Sequence, residues 1–562
     1  MIHRRDNRTP AKADSQGSRP LAARPRFSGQ GPRRPRSAGP RGMVLVVVLV
    51  VITLLALGAL TFSELMMAER EGAEVAVLQS QTRALADSGV EMIRMFLAQD
   101  AQVQQQSGGW YDNPSQFRGV GVIYEGGTHG VGRFTVIAPA MDTDGRLAGI
   151  RYGLEDESTK LNLNMVAAVD KKLGGGAGRR MLMALPGMTE DVADAILDWI
   201  DLDDEPRDYG AEIESYAALS PAYATKNGPL DTLEELLLVR GVTPSSLFGI
   251  DTNRNHLVDQ AESVGTMLVD AGNSEGTLDC GWAAYLTIHS QEANLGADGQ
   301  AKIDLAKEAS TEEDRKKFYE ELEAVLEPEW AKFIVFWRQG DDADNATTPP
   351  RSLAECEPDF SQAFQRKPQT VLDLVGKPVR SRIVGQNSAV VIETPFPDQP
   401  LLSGLFLPKL LDHCTVGSTS AVTGRLNINM ASRVALAAVL SGILGSEQQP
   451  IDPAEMVNSI VSERPQDPNQ ADESFNYETW LYSRAIVDLD QMKKLFPYVC
   501  ARGGVYRAQV IGYFDKGGPS ARIEVVIDAT NSPPRMVFWR DMTHLGRGYP
   551  LETLGIEFTE SP

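Results

Sequence analysis

Residues 43–62 (MVLVVVLVVITLLALGALTF) run for twenty positions without a charge, and this run constrains the fold more than any other feature. As an α-helix rising 1.5 Å per residue it is about 30 Å long, the thickness of a bilayer's hydrocarbon core. A helix from a soluble core keeps one charged or polar face, and this run has none. Residues 1–42 carry eleven Lys and Arg against Asp6 and Asp14, a local charge of +9. The positive-inside rule holds such a flank in the cytoplasm. The sequence therefore predicts one crossing, with everything after about Ser63 on the far side.

The segment ahead of the run is rich in Arg, Pro, Gly and Ser and poor in large apolar groups, so a disordered basic leader is expected over residues 1–42. A cleavable secretory signal would have a shorter apolar region followed by small residues. This run instead leads into TFSELMMAER, which puts any processing point before it. Helix formers continue without Pro to about Ala98, with Leu85, Val90, Ile93 and Leu97 near helical spacing, so one helix is expected over residues 43–98.

The junction Arg41-Gly42-Met43 resembles the prepilin peptidase site of type IV pilins and type II secretion pseudopilins. In those families the leader is removed after Gly, the helix is retained, and its new amino terminus is methylated. Most pilins carry Glu at the fifth mature position, where it neutralises the amine of a neighbouring subunit. Here that position is Val47. A carboxylate buried in the apolar bundle is costly unless paired, and a subunit without it suits the tip, where no preceding neighbour needs neutralising. Its absence resembles the K-type minor pseudopilin of type II secretion.

The body carries a net charge of −31, which opposes a phosphate backbone at long range. Strands are expected at residues 133–138 and 147–154 around Asp144-Gly145. Alternating apolar and polar residues predict two more at 505–514 and 521–528 across a Gly-Gly-Pro turn, with another at 536–539. Because an isolated hairpin is marginal in water, the early and late strands are expected to form one sheet around a helical insertion. The fold class is therefore α+β: a long transmembrane helix and a pilin-like antiparallel sheet interrupted by a large α-helical domain. The expected divisions are 1–42 (leader), 43–98 (spine helix), 99–163 (first part of the sheet domain), 164–499 (insertion) and 500–562 (closing strands and tail). The K-type resemblance implies the same arrangement. The body is larger than that family's typical member, with an extra helical piece at 311–337 and a Pro/acidic linker at 340–350.

Within the insertion, Lys160-Leu-Asn162-Leu-Asn164 recurs as Arg425-Leu-Asn427-Ile-Asn429 and, more weakly, as Lys302-Ile-Asp304-Leu305. Asn in such a segment caps the amides of a following helix. Similar segments, and a linking strand like LTIHSQEAN at 286–294, punctuate K-type pseudopilins. Leu185-Pro-Gly-Met-Thr189 and Val239-Arg-Gly-Val-Thr-Pro244 are helix-hairpin-helix-like. The first runs into Asp194, Asp198, Asp201, Asp203, Asp204 and Glu205, an expected wall of charge against phosphate. Packing, rather than contact with nucleic acid, is the expected role.

The stretch DTNRNHLVDQAE at 251–262 places side-chain oxygens at positions 1, 3, 5, 9 and 12 of an EF-hand-like loop. The expected ligands of a structural Ca2+ are Asp251, Asn253, Asn255, Asp259, Glu262 and the Leu257 carbonyl. His256 stands at position 6, where such loops carry Gly. Asp201, Asp203 and Asp204 are a weaker cation candidate. The four cysteines show no zinc-ligand spacing, and in an exported body they would allow two disulfides by any of three pairings. None of the six histidines falls in a motif with Cys, Ser or a carboxylate, and no catalytic fingerprint is present, so no enzymatic activity is expected.

The K-type resemblance implies an inner-membrane protein, with its bulk in the periplasm, that caps the pseudopilus tip and primes its assembly. The implied partners are the I- and J-type minor pseudopilins, the major pseudopilin, the prepilin peptidase, the inner-membrane secretion platform and membrane lipid. Two other readings are open: a tip minor pilin of a type IV pilus, or a membrane-tethered DNA-uptake module using the hairpin.

Overall fold

The computed structural model describes residues 41–124, 129–142, 147–257, 280–343, 349–386, 388–446, 451–465, 467–468 and 471–556. The expected leader therefore lies outside the described residues up to position 40, as does the Asp144-Gly145 turn. The chain divides between Ala73 and Glu74 into two compact units.

Helix α1, Arg41–Leu97, is continuous over 57 residues, as the absence of Pro predicts. Its apolar side chains from Met43 to Phe62 are exposed on every face. Thr53 and Thr61 are the two hydroxyls of the uncharged run. Thr53 Oγ1 donates to the Leu49 and Val50 carbonyls at 3.0 and 2.9 Å, and Thr61 Oγ1 to those of Leu57 and Gly58 at 3.1 and 3.0 Å. The run thus satisfies its own polar side chains, as a helix surrounded by hydrocarbon must. It is long and apolar enough to cross a membrane.

The second unit is built on an antiparallel sheet of strands β1 (Val120–Ile123), β2 (Gly132–Met141), β3 (Leu147–Arg151), β4 (Glu155–Asp156), β5 (Val505–Phe514), β6 (Ala521–Asp528) and β7 (Arg535–Asp541). The order is β1-β2-β5-β6-β7, with β3 beside β2 and β4 beside β5. Strand β2 pairs β5 with Val136 opposite Val510, so the early and late strands form one sheet although more than three hundred residues separate them. The strands expected at 505–514 and 521–528 form over those residues.

The last turns of α1 lie on one sheet face, where Ala86, Val90, Ile93, Phe96 and Leu97 pack with Phe134, Val136, Ala508, Val510, Ile523, Val525 and Ile527. Helix and sheet approach so closely that a Cβ on Gly512 would overlap the Thr82 carbonyl oxygen. Glycine at this point in β5 permits the contact.

Between β4 and β5 runs the mainly helical insertion, with its own large apolar core. It includes α2 (Leu163–Leu173), α3 (Ala177–Met183), α4 (Glu190–Ile200), α5 (Pro244–Phe248) and α6 (Arg433–Leu444). Each of the three echoed segments makes a two-residue parallel pairing. Leu161–Asn162 pairs Leu286–Thr287, Ile303–Asp304 pairs Cys414–Thr415, and Leu426–Asn427 pairs Val499–Cys500. Asn162 caps α2 by accepting from the amides of Asn164 and Met165. Asn427 instead accepts from the Asn429 amide ahead of a turn, and Ser432 caps α6. The extra helical piece is two helices, Glu312–Glu323 and Pro328–Gln339, because Pro328 opens a new first turn. The expected linker at 340–350 is in part sheet, since Asp341–Asp342 pairs Val379–Arg380.

Candidate functional site

The candidate processing residues Gly42 and Met43 lie in the first turn of α1. Val47, 57% exposed, presents an apolar side chain from the same uncharged surface.

The glycines of the two hairpin-like segments both turn. Gly187 turns at φ +66 between α3 and α4, and Gly241 turns at φ +86 ahead of α5. Thr243 caps α5 by accepting from the Ser246 amide. A Cβ on Gly241 would lie 2.7 Å from Val192 Cγ2, so the second turn rests on the first residues of α4. Glu190 and Asp191 occupy the first turn of α4, opposing an anion at the amides a phosphate-binding hairpin would offer.

The expected acidic wall is corrected by the structure. Asp194 and Asp198 are fully buried. Arg179 grips Asp194 through two bonds of 2.7 and 2.6 Å. Arg207 Nη1 reaches Asp198 at 2.7 Å, and the same guanidinium holds Asp201 and Asp170. These carboxylates are paired because leaving them alone in the core would cost several kcal/mol each. Asp203 and Asp204 face other donors, the Glu205 amide and Asn227 Nδ2, so the second cation candidate is not assembled.

Charged residues that the sequence left unassigned gather on the sheet face opposite α1. Arg507 bonds Glu157 and, at 3.0 Å, Glu524. Arg540 joins Glu524 to Glu234, which also meets Arg254 at 3.3 Å. The chain thereby links the sheet (Arg507, Glu524, Arg540) to the insertion (Glu157, Glu234, Arg254). Burial alone would raise the Glu157 carboxyl, but Arg507 and Lys160 outweigh it and hold it at about 2. Burial likewise works against Arg507 and Arg540 at Glu524, and the arginines hold that carboxyl at about 2. Nearby, Asp156 accepts from the amides of Ser158 and Gly503 and from Asn427 Nδ2, where the chain leaves and rejoins the sheet. Burial nevertheless raises its carboxyl to about 6. The available signal was the charge alternation Arg522, Glu524 along β6.

Of the expected calcium ligands, Asp251, Asn253, Asn255 and Leu257 are described, whereas Asp259 and Glu262 lie outside the described residues. The loop turns inward on Asp251, 2% exposed. Its Oδ1 accepts from the Asn255 amide at 3.0 Å and its Oδ2 from the His256 amide at 2.9 Å. Asn253 Oδ1 also accepts from the Asn255 amide, and Asn255 Oδ1 accepts from that of Leu257. Asn255 Nδ2 donates to the Gly548 carbonyl at 2.7 Å, while Arg522 and Gln509 donate to that of Arg254. The loop is therefore pinned to the sheet. His256 takes the left-handed turn, φ +56, that glycine provides in related loops.

A group the sequence did not anticipate closes over this loop. Cys280 Sγ lies 3.9 Å from Asp251 Oδ2 and 3.8 Å from His256 Nδ1, and those two atoms are 3.7 Å apart. The fold thus brings His256 to a cysteine and a carboxylate without any sequence motif joining them. Twenty-four positions separate His256 from Cys280, so linear spacing held no signal. All four cysteines are buried and none is in a disulfide.

Residues 159–248 match the family model described as type II secretion system (T2SS), protein K. Over 93 residues the chain is 34% identical to the type II secretion system protein K of Pectobacterium carotovorum subsp. carotovorum, covering 16% of this chain and 27% of that protein. The chain thus matches about a quarter of the length of that curated relative. A solved neighbour is the GspK-GspI-GspJ complex of the enterotoxigenic Escherichia coli type 2 secretion system. It has a TM-score of 0.34 and 11% identity, covering 85% of this chain and 98% of that one.

Proposed function

We propose that this chain, whose residues 159–248 match the type II secretion protein K family model, belongs to that family and is the minor pseudopilin at the tip of that system's pseudopilus. The observation that carries the proposal is α1. One unbroken helix joins an apolar, exposed run to turns that form the core of an antiparallel sheet, and the family domain lies within that sheet's insertion.

In this reading the prepilin peptidase cuts after Gly42, and the helix beginning at Met43 packs in the inner membrane beside those of the I- and J-type minor pseudopilins. Val47 brings no carboxylate to neutralise a preceding subunit's amine, which suits a chain with no subunit ahead of it. The insertion, in the periplasm, is too bulky for the shaft and caps it. The complex primes assembly of the major pseudopilin on the inner-membrane secretion platform, and the growing filament pushes folded proteins outward. The role is mechanical.

Mass spectrometry of the membrane-extracted protein tests the mechanism. A chain starting at methylated Met43 supports it, and one still starting at Met1 overturns it. On co-production with I- and J-type partners the chain is expected to co-purify with both. A monomer under those conditions contradicts the tip assignment.

A further inference from the structure

We propose that Asp251, His256 and Cys280 form a three-ligand site for a borderline-soft divalent cation of the zinc class, which staples the loop at 251–256 to the segment entering at Cys280. The three donor atoms form a nearly equilateral triangle with sides of 3.7, 3.8 and 3.9 Å. The centre of that triangle lies about 2.2 Å from each donor, close to the bonds of about 2.3 Å for zinc to sulfur and about 2.0–2.2 Å to nitrogen or carboxylate oxygen. A tetrahedral ion, seated just off that plane, draws the donors together by about 0.3 Å.

The donor set selects the ion. Calcium takes oxygen and does not recruit a thiol or an imidazole. Oxygen, nitrogen and sulfur together suit zinc, with a water completing the tetrahedron. The surrounding structure orients these ligands. The Asn255 and His256 amides hold the Asp251 carboxylate, and the left-handed backbone at His256 turns the ring toward Cys280. At position 6 of the loop, histidine keeps the turn that glycine would allow and adds a ligand.

The position suggests what the ion does. Gln509 and Arg522 of the sheet bond the loop at Arg254. Cys280 leads into Leu286–Thr287, which pairs the segment that caps α2. A metal between them ties sheet, loop and insertion at one point, and binding energy at such a site becomes folding energy.

The test uses the full chain in detergent, stripped by chelator and given Zn2+, Co2+ or Ca2+ alone. One Co2+ per chain is expected, with tetrahedral visible bands and a thiolate-to-cobalt charge-transfer band in the near ultraviolet. Zn2+ displaces it and raises the melting temperature, whereas Ca2+ does not. Cys280→Ser and Asp251→Asn are each expected to weaken Zn2+ binding at least about 100-fold, since even losing an outer-shell partner costs 10–100-fold. The Cys280→Ser chain should melt at the metal-free wild-type temperature. The wild-type spectrum decides even if a variant fails to fold. No cobalt binding, or a cobalt spectrum without the thiolate band, overturns the site. Stabilisation by Ca2+ and not Zn2+ also overturns it and returns the loop to the calcium reading of 251–262.

Discussion

The two faces of the central sheet are covered by opposite means. On one, the last turns of α1 meet β2, β5 and β6 through aliphatic and aromatic side chains, brought close by Gly512. On the other, the insertion meets β5, β6 and β7 through Arg507, Glu524 and Arg540, bonded to Glu157 and Glu234. Apolar packing tolerates volume-conserving change and fails gradually. A buried ionic junction fails abruptly, because removing one partner leaves the others charged and dry. The first contact therefore suits a permanent spine, and the second fixes a single orientation of the insertion on the sheet.

The largest expected effect is on the ionic face. Arg507→Met removes the ion-pair partner of buried Glu157 and leaves Glu524 with Arg540 alone, and a loss of about 3 kcal/mol is expected in denaturant unfolding of the full chain. A loss below about 1 kcal/mol would make the junction no different from surface pairing. Acid should separate the faces next. Glu157 and Glu524 are held near 2 when folded, below their unfolded value of about 4.3. Their stabilisation is therefore complete above about pH 4.5 and lost as pH falls toward 2, a change on the order of a few kcal/mol. Asp156, raised to about 6, acts oppositely: its contribution is present below about 4 and lost as pH rises through 6. Wild type minus Glu524→Gln, measured by melting from pH 5 to 2.5, should shrink with acid. A constant difference would remove the ionic account.

On the apolar face, Gly512→Ala forces α1 away from β5 and should cost about 1–3 kcal/mol with little pH dependence. Full retention of the wild-type melting temperature would show that helix and sheet are not in tight contact there. The smallest effect belongs to local capping within the insertion, where Asn162→Ala should cost about 1 kcal/mol.

Much of the fold was legible in the sequence because it depends on short-range periodicity. The uncharged run and Pro-free continuation read as one helix, and the alternations at 505–514 and 521–528 read as strands at those residues. Asn162 read as a cap. The surroundings of charged groups were not legible. Alternation along β6 ordinarily marks one wet face, yet all eight residues are buried because the insertion covers the polar side. Asp194 and Asp198 looked like surface charge for the same reason, and Arg179 and Arg207 became their partners only through the folded helices.

The order of residues by itself determined the long helix, the strands at 505–514 and 521–528, the place of the membrane-length run and the cap at Asn162, because backbone sterics and local hydrophobic patterning act over a few residues. Only the tertiary structure decided that β2 lies beside β5, that six charges from distant segments share one junction, and that Cys280 meets His256 and Asp251. Each depends on closing a long loop, and desolvation and coordination energies arise only once the groups have been brought together.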